Sequence, residues 1–163
     1  MRIVRWLDSH FEELLIGVFS LIMTVVIAIQ IFMRYVMDNS LSWSEELARY
    51  CFIWLVYLGI SLAVKKQRHM SVDVMFLVLK GKAKIVLSMI ANLLFLSFST
   101  FAIFYGFQIS MKLLTWGQVS PALDIPIGLV YLATPVGMGL TALRLIQQLI
   151  SQAKSLAKNE AAL

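Results

Sequence analysis

The sequence predicts an all-α integral membrane protein: four transmembrane helices with both termini cytoplasmic (N-in/C-in), accompanied by interfacial amphipathic helices. Three observations carry this reading. Of 163 residues, 60% are hydrophobic and 14% charged, and mean hydropathy is +0.84, whereas soluble domains carry about 25% charged and 45–50% apolar residues. Four uncharged blocks of roughly bilayer-spanning length alternate with charged segments. The formal net charge of +5 is concentrated on one side of those blocks. Residues 1–163 therefore form a single membrane domain.

The first block, 14–33, is twenty residues with Ser20, Thr24 and Gln30 as its polar members, enough to span a bilayer. A cleaved signal would have a shorter apolar core followed by small residues. Here Arg34-Tyr35-Val36-Met37-Asp38 follows, which predicts a retained anchor. Before it, Trp6, Leu7, His10, Phe11 and Leu14 recur at helical spacing among charges, which suits a helix lying on the membrane.

The second span, 47–64, has an uncharged run of fifteen residues from Tyr50 to Val64. Ser42-Trp43-Ser44-Glu45 has the spacing of a capping box, so the helix is expected to start near Trp43, with Arg49 snorkelling to the headgroups. The third span, 85–111, has 27 residues and calls for tilt or a projecting end. The fourth, 125–143, is preceded by Asp124 as an expected N-cap, with Pro126 in the first turn and Pro135 near its middle. Met70 to Leu79, too short to span, is expected in the cytoplasmic interface or packed against another protein.

Of the 14 lysines and arginines, Arg34, Arg49 and Lys112 fall on one side. The others are Arg2 and Arg5, the loop residues Lys65, Lys66, Arg68, Lys80, Lys82 and Lys84, and Arg144, Lys154 and Lys158. By the positive-inside rule both termini and the basic loop are cytoplasmic. The excess is an orientation signal with anionic phospholipid contact, and a nucleic-acid partner is not expected.

No catalytic, substrate-binding, metal or cofactor site is expected. His10 and His69 lie outside the spans, so paired intramembrane haem ligands are missing, and with them the basis for an electron-transfer or quinone anchor. The single Cys51 cannot support dithiol exchange. No Asp, Glu or Lys sits at mid-span, so a stand-alone multidrug or ion carrier, the alternative reading, lacks its coupling group. Gln30 and Asn92 read as interhelical hydrogen-bonding groups, or as the lining of a substrate path. Gly59 and Ala63, and Ala133, Gly137 and Thr141, repeat at i, i+4 as helix-packing stripes. Trp43, Glu45, Glu46 and Arg49 share the entry of span two. Their plain reading is a capping box with a local ion pair, and their sharper reading is a docking point for a partner.

Arg34-Tyr35, Trp43-Ser44-Glu45-Glu46-Leu47-Ala48-Arg49-Tyr50, Gly59, and Lys65-Lys66-Gln67-Arg68-His69-Met70-Ser71-Val72-Asp73 stand in this order. With Ser120-Pro121-Ala122-Leu123-Asp124-Ile125-Pro126, Tyr131 and Pro135, they resemble the small membrane subunit of tripartite TRAP transporters, the DctQ family. The resemblance covers nearly the whole chain. It implies a bacterial inner-membrane scaffold subunit, not an enzyme. Such a subunit braces a large elevator-type permease that carries an organic acid on a sodium gradient, while a periplasmic substrate-binding protein delivers the substrate. The sodium and substrate sites would then belong to the large subunit. Ser44, Gln67 and Gly59-Ile60-Ser61 resemble sialic-acid members more than C4-dicarboxylate members.

Overall fold

A computed structural model describes the backbone of residues 2–66 and 82–160, and the side chains of residues 12–66 and 85–154. The expected interfacial segment Met70 to Leu79, with Arg68 and Lys80, lies outside the described residues, as do the side chains of Lys82 and Lys84. The helices are α1 (Arg2–Val36), α2 (Ser42–Lys65), α3 (Lys82–Thr115), α4 (Ile127–Tyr131) and α5 (Ala133–Glu160). Four stretches are long and apolar enough to cross a membrane: Glu12–Val36, Ser42–Lys65, Ile85–Thr115 and Ile127–Lys154.

Several local expectations are corrected. The amphipathic N-terminal segment is no separate helix, because α1 runs unbroken from Arg2. No glycine or proline precedes Gly17 to interrupt its backbone hydrogen bonds. Asp124 does not cap the fourth span. It adopts a left-handed conformation (φ 52°) inside a narrow turn closed by Ser120 N–H to Ile125 O (2.9 Å) and Ile127 N–H to Gln118 O (2.9 Å), and Pro126 takes the cap position. The fourth span is itself divided at Leu132 into α4 and α5. Pro135 supplies the reason: it has no N–H for the carbonyl of Tyr131, and its ring crowds that turn. It therefore sits in the first turn of α5 rather than mid-helix. At the other loop, α1 ends as Asp38 turns left-handed (φ 47°) and Asn39 N–H reaches back six residues to Met33 O (3.1 Å), which satisfies one of the carbonyls left unpaired at the helix end.

The helices form an open row. α1 packs on α2, α2 on α5, and α5 on α3, while α4 rests on α3. Among the described residues no packing of comparable extent joins α1 to α3, so their row does not close into a bundle. Burial follows the order. Within the apolar windows of the edge helices α1 and α3, 11% of residues are buried, against 28% and 33% for the inner spans. The row thus presents broad apolar faces, including Leu21, Leu94, Phe101 and Phe104, each about 60% exposed or more.

In a bilayer, apolar contact alone gives helices little reason to prefer each other to lipid, so close approach and polar bonds hold them together. Gly137 allows a close approach between α5 and α2, since a Cβ added there would lie 2.5 Å from Tyr57 Cβ and 3.0 Å from its carbonyl oxygen. Its stripe mates Ala133 and Thr141 are fully buried. Gly59, by contrast, has nothing within 4 Å of an added Cβ, and Ala63 is half-buried. Two further glycines, absent from the stripes read in the sequence, seat the broken fourth span on α3. A Cβ on Gly106 would meet Thr134 at 3.1 Å, and one on Gly128 would meet Leu114 at 2.5 Å. Ser110 Oγ donates to Gly128 O (2.7 Å) beside it. Phe19 stacks on Trp54 between α1 and α2, centroids 6.1 Å apart.

At the end of the row carrying the chain termini, polar groups take over. The Glu12 side chain is 1% exposed and gathers three partners: Arg144 Nε (3.0 Å), Lys65 Nζ (3.3 Å) and Ser61 Oγ (3.2 Å). This knot joins α1, α2 and α5. Lys66 pairs with Glu13 (2.8 Å) just outside it. An amide ladder continues to α3. Gln148 Nε2 donates to Val64 O, Asn92 Nδ2 donates to Gln148 Oε1 (3.4 Å) and Gln152 Oε1 (3.2 Å), and Gln152 Nε2 donates to Ser88 Oγ (2.9 Å). Asn92 is thus an interhelical hydrogen-bonding residue.

Two predictions separate these contacts. Gly137→Ala is expected to cost about 1–3 kcal/mol through overpacking, while Gly59→Ala is neutral or stabilising by up to ~1 kcal/mol through helix propensity. Intrinsic-tryptophan thermal unfolding in detergent reads both, and equal Tm values would contradict the packing described. Glu12→Ala strands two largely buried cations, and breaking such a pair costs roughly 3–5 kcal/mol. Snorkelling of Lys65 toward water lowers this, so the expected loss is at the lower end, read as a Tm drop that exceeds that of Glu13→Ala.

Candidate functional site

The opposite end of the row, where the α1–α2 and α3–α4 loops lie, brings together the residues singled out around the entry of span two. α2 begins at Ser42 with Leu41 in the cap position and no side-chain cap bond. The expected capping box does not form. Ser42 already lies inside the helix, Ser44 Oγ donates instead to Leu41 O (2.7 Å), and Glu45 is engaged elsewhere.

The two adjacent acids point to different neighbours because consecutive helix positions are about 100° apart. Glu45 Oε1 accepts a hydrogen bond from Gln30 Nε2 of α1 (2.7 Å). Gln30 is therefore an interhelical hydrogen-bonding group at the mouth of the α1–α2 contact. Glu46 faces the α3–α4 loop, and its Oε2 accepts the backbone N–H groups of Ala122 (3.0 Å) and Leu123 (3.1 Å). Its Oε1 accepts the Tyr50 hydroxyl (2.6 Å) one turn along α2. A carboxylate receiving two successive backbone N–H groups is a charge-assisted anchor. It pins a loop 76 residues away in sequence to the start of α2.

No ion pair joins Arg49 to Glu45 or Glu46 among the described residues, contrary to the local pair the spacing suggests: Glu46 is turned to the loop backbone and Tyr50, and Glu45 to Gln30. Arg49 and Trp43 are left exposed at the surface of this end, Trp43 at 38%. Arg34 and Tyr35, at the end of α1, are exposed there too. Chemically the arrangement is an ordered platform: two acids build it from within, while an indole and guanidinium groups are presented outward. Both kinds of outward group are enriched where proteins meet proteins.

Sequence reasoning missed the loop-anchoring role of Glu46, since its partners are backbone groups. It also missed Glu12, Gln148 and Gln152. A signal for the last two exists: Gln148 and Gln152 are four apart on α5, as are Ser88 and Asn92 on α3, so each pair lines one helical face. No group of three or more His, Cys, Asp or Glu able to hold a metal exists among the described residues.

Comparison with known proteins completes the picture. The sequence profile of the DctQ component of tripartite ATP-independent periplasmic transporters matches residues 23–155. An isethionate TRAP transporter permease protein, DctMQ, of Oleidesulfovibrio alaskensis is 32% identical over 93% of this chain, which spans 25% of that relative's length. Two putative TRAP transporter small permease proteins of Haemophilus influenzae are 31% and 30% identical. The alignments cover 83% and 91% of this chain, and 81% and 91% of theirs. Other matches are named for C4-dicarboxylate, sialic acid and ectoine transport. The matched region takes in the platform, its loop anchor, the latter part of the first spanning stretch and the whole of the other three, and the chain therefore belongs to the DctQ family of TRAP small permease subunits, multi-pass inner-membrane components of a transporter rather than enzymes.

Proposed function

We propose that this chain is the static brace of a sodium-coupled TRAP transporter for an organic acid. It lies beside a separately supplied large elevator-type permease subunit and helps to seat the periplasmic substrate-binding protein. The open row of helices carries the proposal. A closed bundle would bury its inner faces, whereas this row buries 11% of each edge window and leaves two wide apolar faces for a larger membrane protein and for lipid. A carrier domain that moves across the bilayer needs a counterpart that resists displacement. A row tied at both ends by polar groups and glycine contacts meets that need. The absence of charged groups from the middle of the spans supports placing cation and substrate sites on the large subunit.

The substrate is then not chosen here, in keeping with relatives named for chemically different solutes. Ser44, Gln67 and Gly59-Ile60-Ser61 favour a sialic acid transporter, with a C4-dicarboxylate system second. Orientation follows from charge: the end with the termini, Lys65, Lys66 and Arg144 is cytoplasmic, and the platform with Trp43, Glu45, Glu46 and Arg49 is periplasmic. There the exposed Trp43 and Arg49 contact the partners, while Glu45 and Glu46 hold them in place.

Tagged protein expressed with its genomic neighbours is expected to co-purify with a larger membrane protein, and failure to do so would remove the brace reading. Arg49→Ala is expected to lower sodium-driven uptake in proteoliposomes about tenfold, equivalent to ~1.4 kcal/mol, with assembly intact. Wild-type uptake would argue against partner contact at the platform. For orientation, in a Cys51→Ser background, Asn39→Cys is expected to react with an impermeant maleimide in intact cells. Lys154→Cys is expected to react after permeabilisation, and the reverse pattern would invert the topology.

A further inference from the structure

Beside the Glu12 knot, α2 and α5 border an open pocket of about 150 Å³ lined by Lys65, Arg144, Gln147, Gln148 and Ser151. Every one of these side chains carries N–H or O–H donors, and no carboxylate lines the cavity among the described residues. Two of the five are cations. Their positions are fixed from behind, Lys65 and Arg144 by Glu12, Gln147 by Arg144 Nη1, which donates to its Oε1 (3.1 Å), and Gln148 by its bond to Val64 O. A preorganised set of donors around a space of this size suits a compact oxyanion.

The surroundings indicate where that oxyanion comes from. Lys65 is the last residue of α2, at the close of its apolar run, the depth at which a spanning helix meets headgroups. On α5, Leu143, Ile146 and Ile150 are 59%, 43% and 52% exposed. Their spacing makes a lipid-facing stripe on the flank next to Gln147 and Ser151. Leu143 lies one turn nearer the membrane centre than Gln147, so an acyl chain on this stripe leads up to the donors.

We propose that the cavity is a binding site for the phosphate group of a phospholipid drawn from the leaflet at this end, whose glycerol and acyl chains lie along Leu143, Ile146 and Ile150. The site is independent of the permease assignment and would pin the inner pair α2 and α5 to the bilayer surface.

The test uses the purified full chain, in the complex in which it purifies, in dodecyl maltoside. Native mass spectrometry follows titration with dioctanoyl phosphatidylglycerol, dioctanoylglycerol or inorganic phosphate. Ser151→Asp and Gln147→Glu place negative charge in the cavity without removing a Glu12 partner. Lys154→Gln makes the same change in charge on α5 outside it. The expected result is a phosphatidylglycerol adduct weakened about tenfold by each cavity variant, the fold-change of roughly one charge-assisted hydrogen bond, and unchanged in Lys154→Gln. Equal binding of dioctanoylglycerol, or equal weakening in Lys154→Gln, would overturn the site. Inorganic phosphate binding as tightly as the lipid would overturn its lipid source.

Discussion

The Glu12 carboxylate, 1% exposed between Arg144, Lys65 and Ser61, sets the terms on which this row of helices holds together. Lipid tails are as apolar as leucine, so burying one spanning helix against another gains little from the hydrophobic effect. A buried carboxylate is different, because removing it from water is costly unless opposite charges and donors surround it. Three helices must therefore converge before Glu12 can sit where it does. α1 gains most from this, since among the described residues its extensive packing is along α2. The constraint works in one direction, from the polar group to the helix arrangement.

A different device fixes each level of the row. At the end with the termini, the knot and the amide ladder from Val64 through Gln148, Asn92 and Gln152 to Ser88 cross α2, α5 and α3. In the middle, where a polar bond would be expensive, glycines let backbones approach, Gly137 against Tyr57 and Gly106 against Thr134. At the loop end, Glu45 and Glu46 tie α2 to α1 and to the α3–α4 loop. Tethering at three depths resists both shear and splaying. That combination is what the proposed static brace requires.

Much of this was legible in the sequence, and the reasons it was or was not are physical. Span number came from hydropathy, because every spanning backbone must satisfy its own hydrogen bonds as helix. Gln30 and Asn92 were legible as interhelical groups because an amide in an apolar run has few other options. The capping box failed because Glu45 has a second claimant, Gln30, 15 residues earlier, which spacing cannot reveal. Asp124 misled for a related reason: its residue type suits both a cap and a left-handed turn, and the hydrogen bonds around Ser120 and Ile125 decide between them. Gly59 and Gly137 look alike in a stripe, yet Gly137 alone of the two faces a backbone. Stripe membership states where a helix allows close approach, and the row order determines where it happens.

That order also bears on the most exposed polar residues. Glu46 commits both oxygens to Tyr50 and the loop backbone and Glu45 commits one to Gln30, so these acids contribute through the shape they impose. Trp43 and Arg49 carry the opposite properties: an indole and a guanidinium at the surface, on a turn whose backbone is held by buried Ser44 and Ala48. An exposed side chain on a rigid turn loses less entropy when bound than one on a free loop. The acids and the basic and aromatic residues of one short motif thus differ in kind: Glu45 and Glu46 bond to neighbouring elements and hold the platform in shape, while Trp43 and Arg49 stay exposed on it, as the proposed partner contact requires.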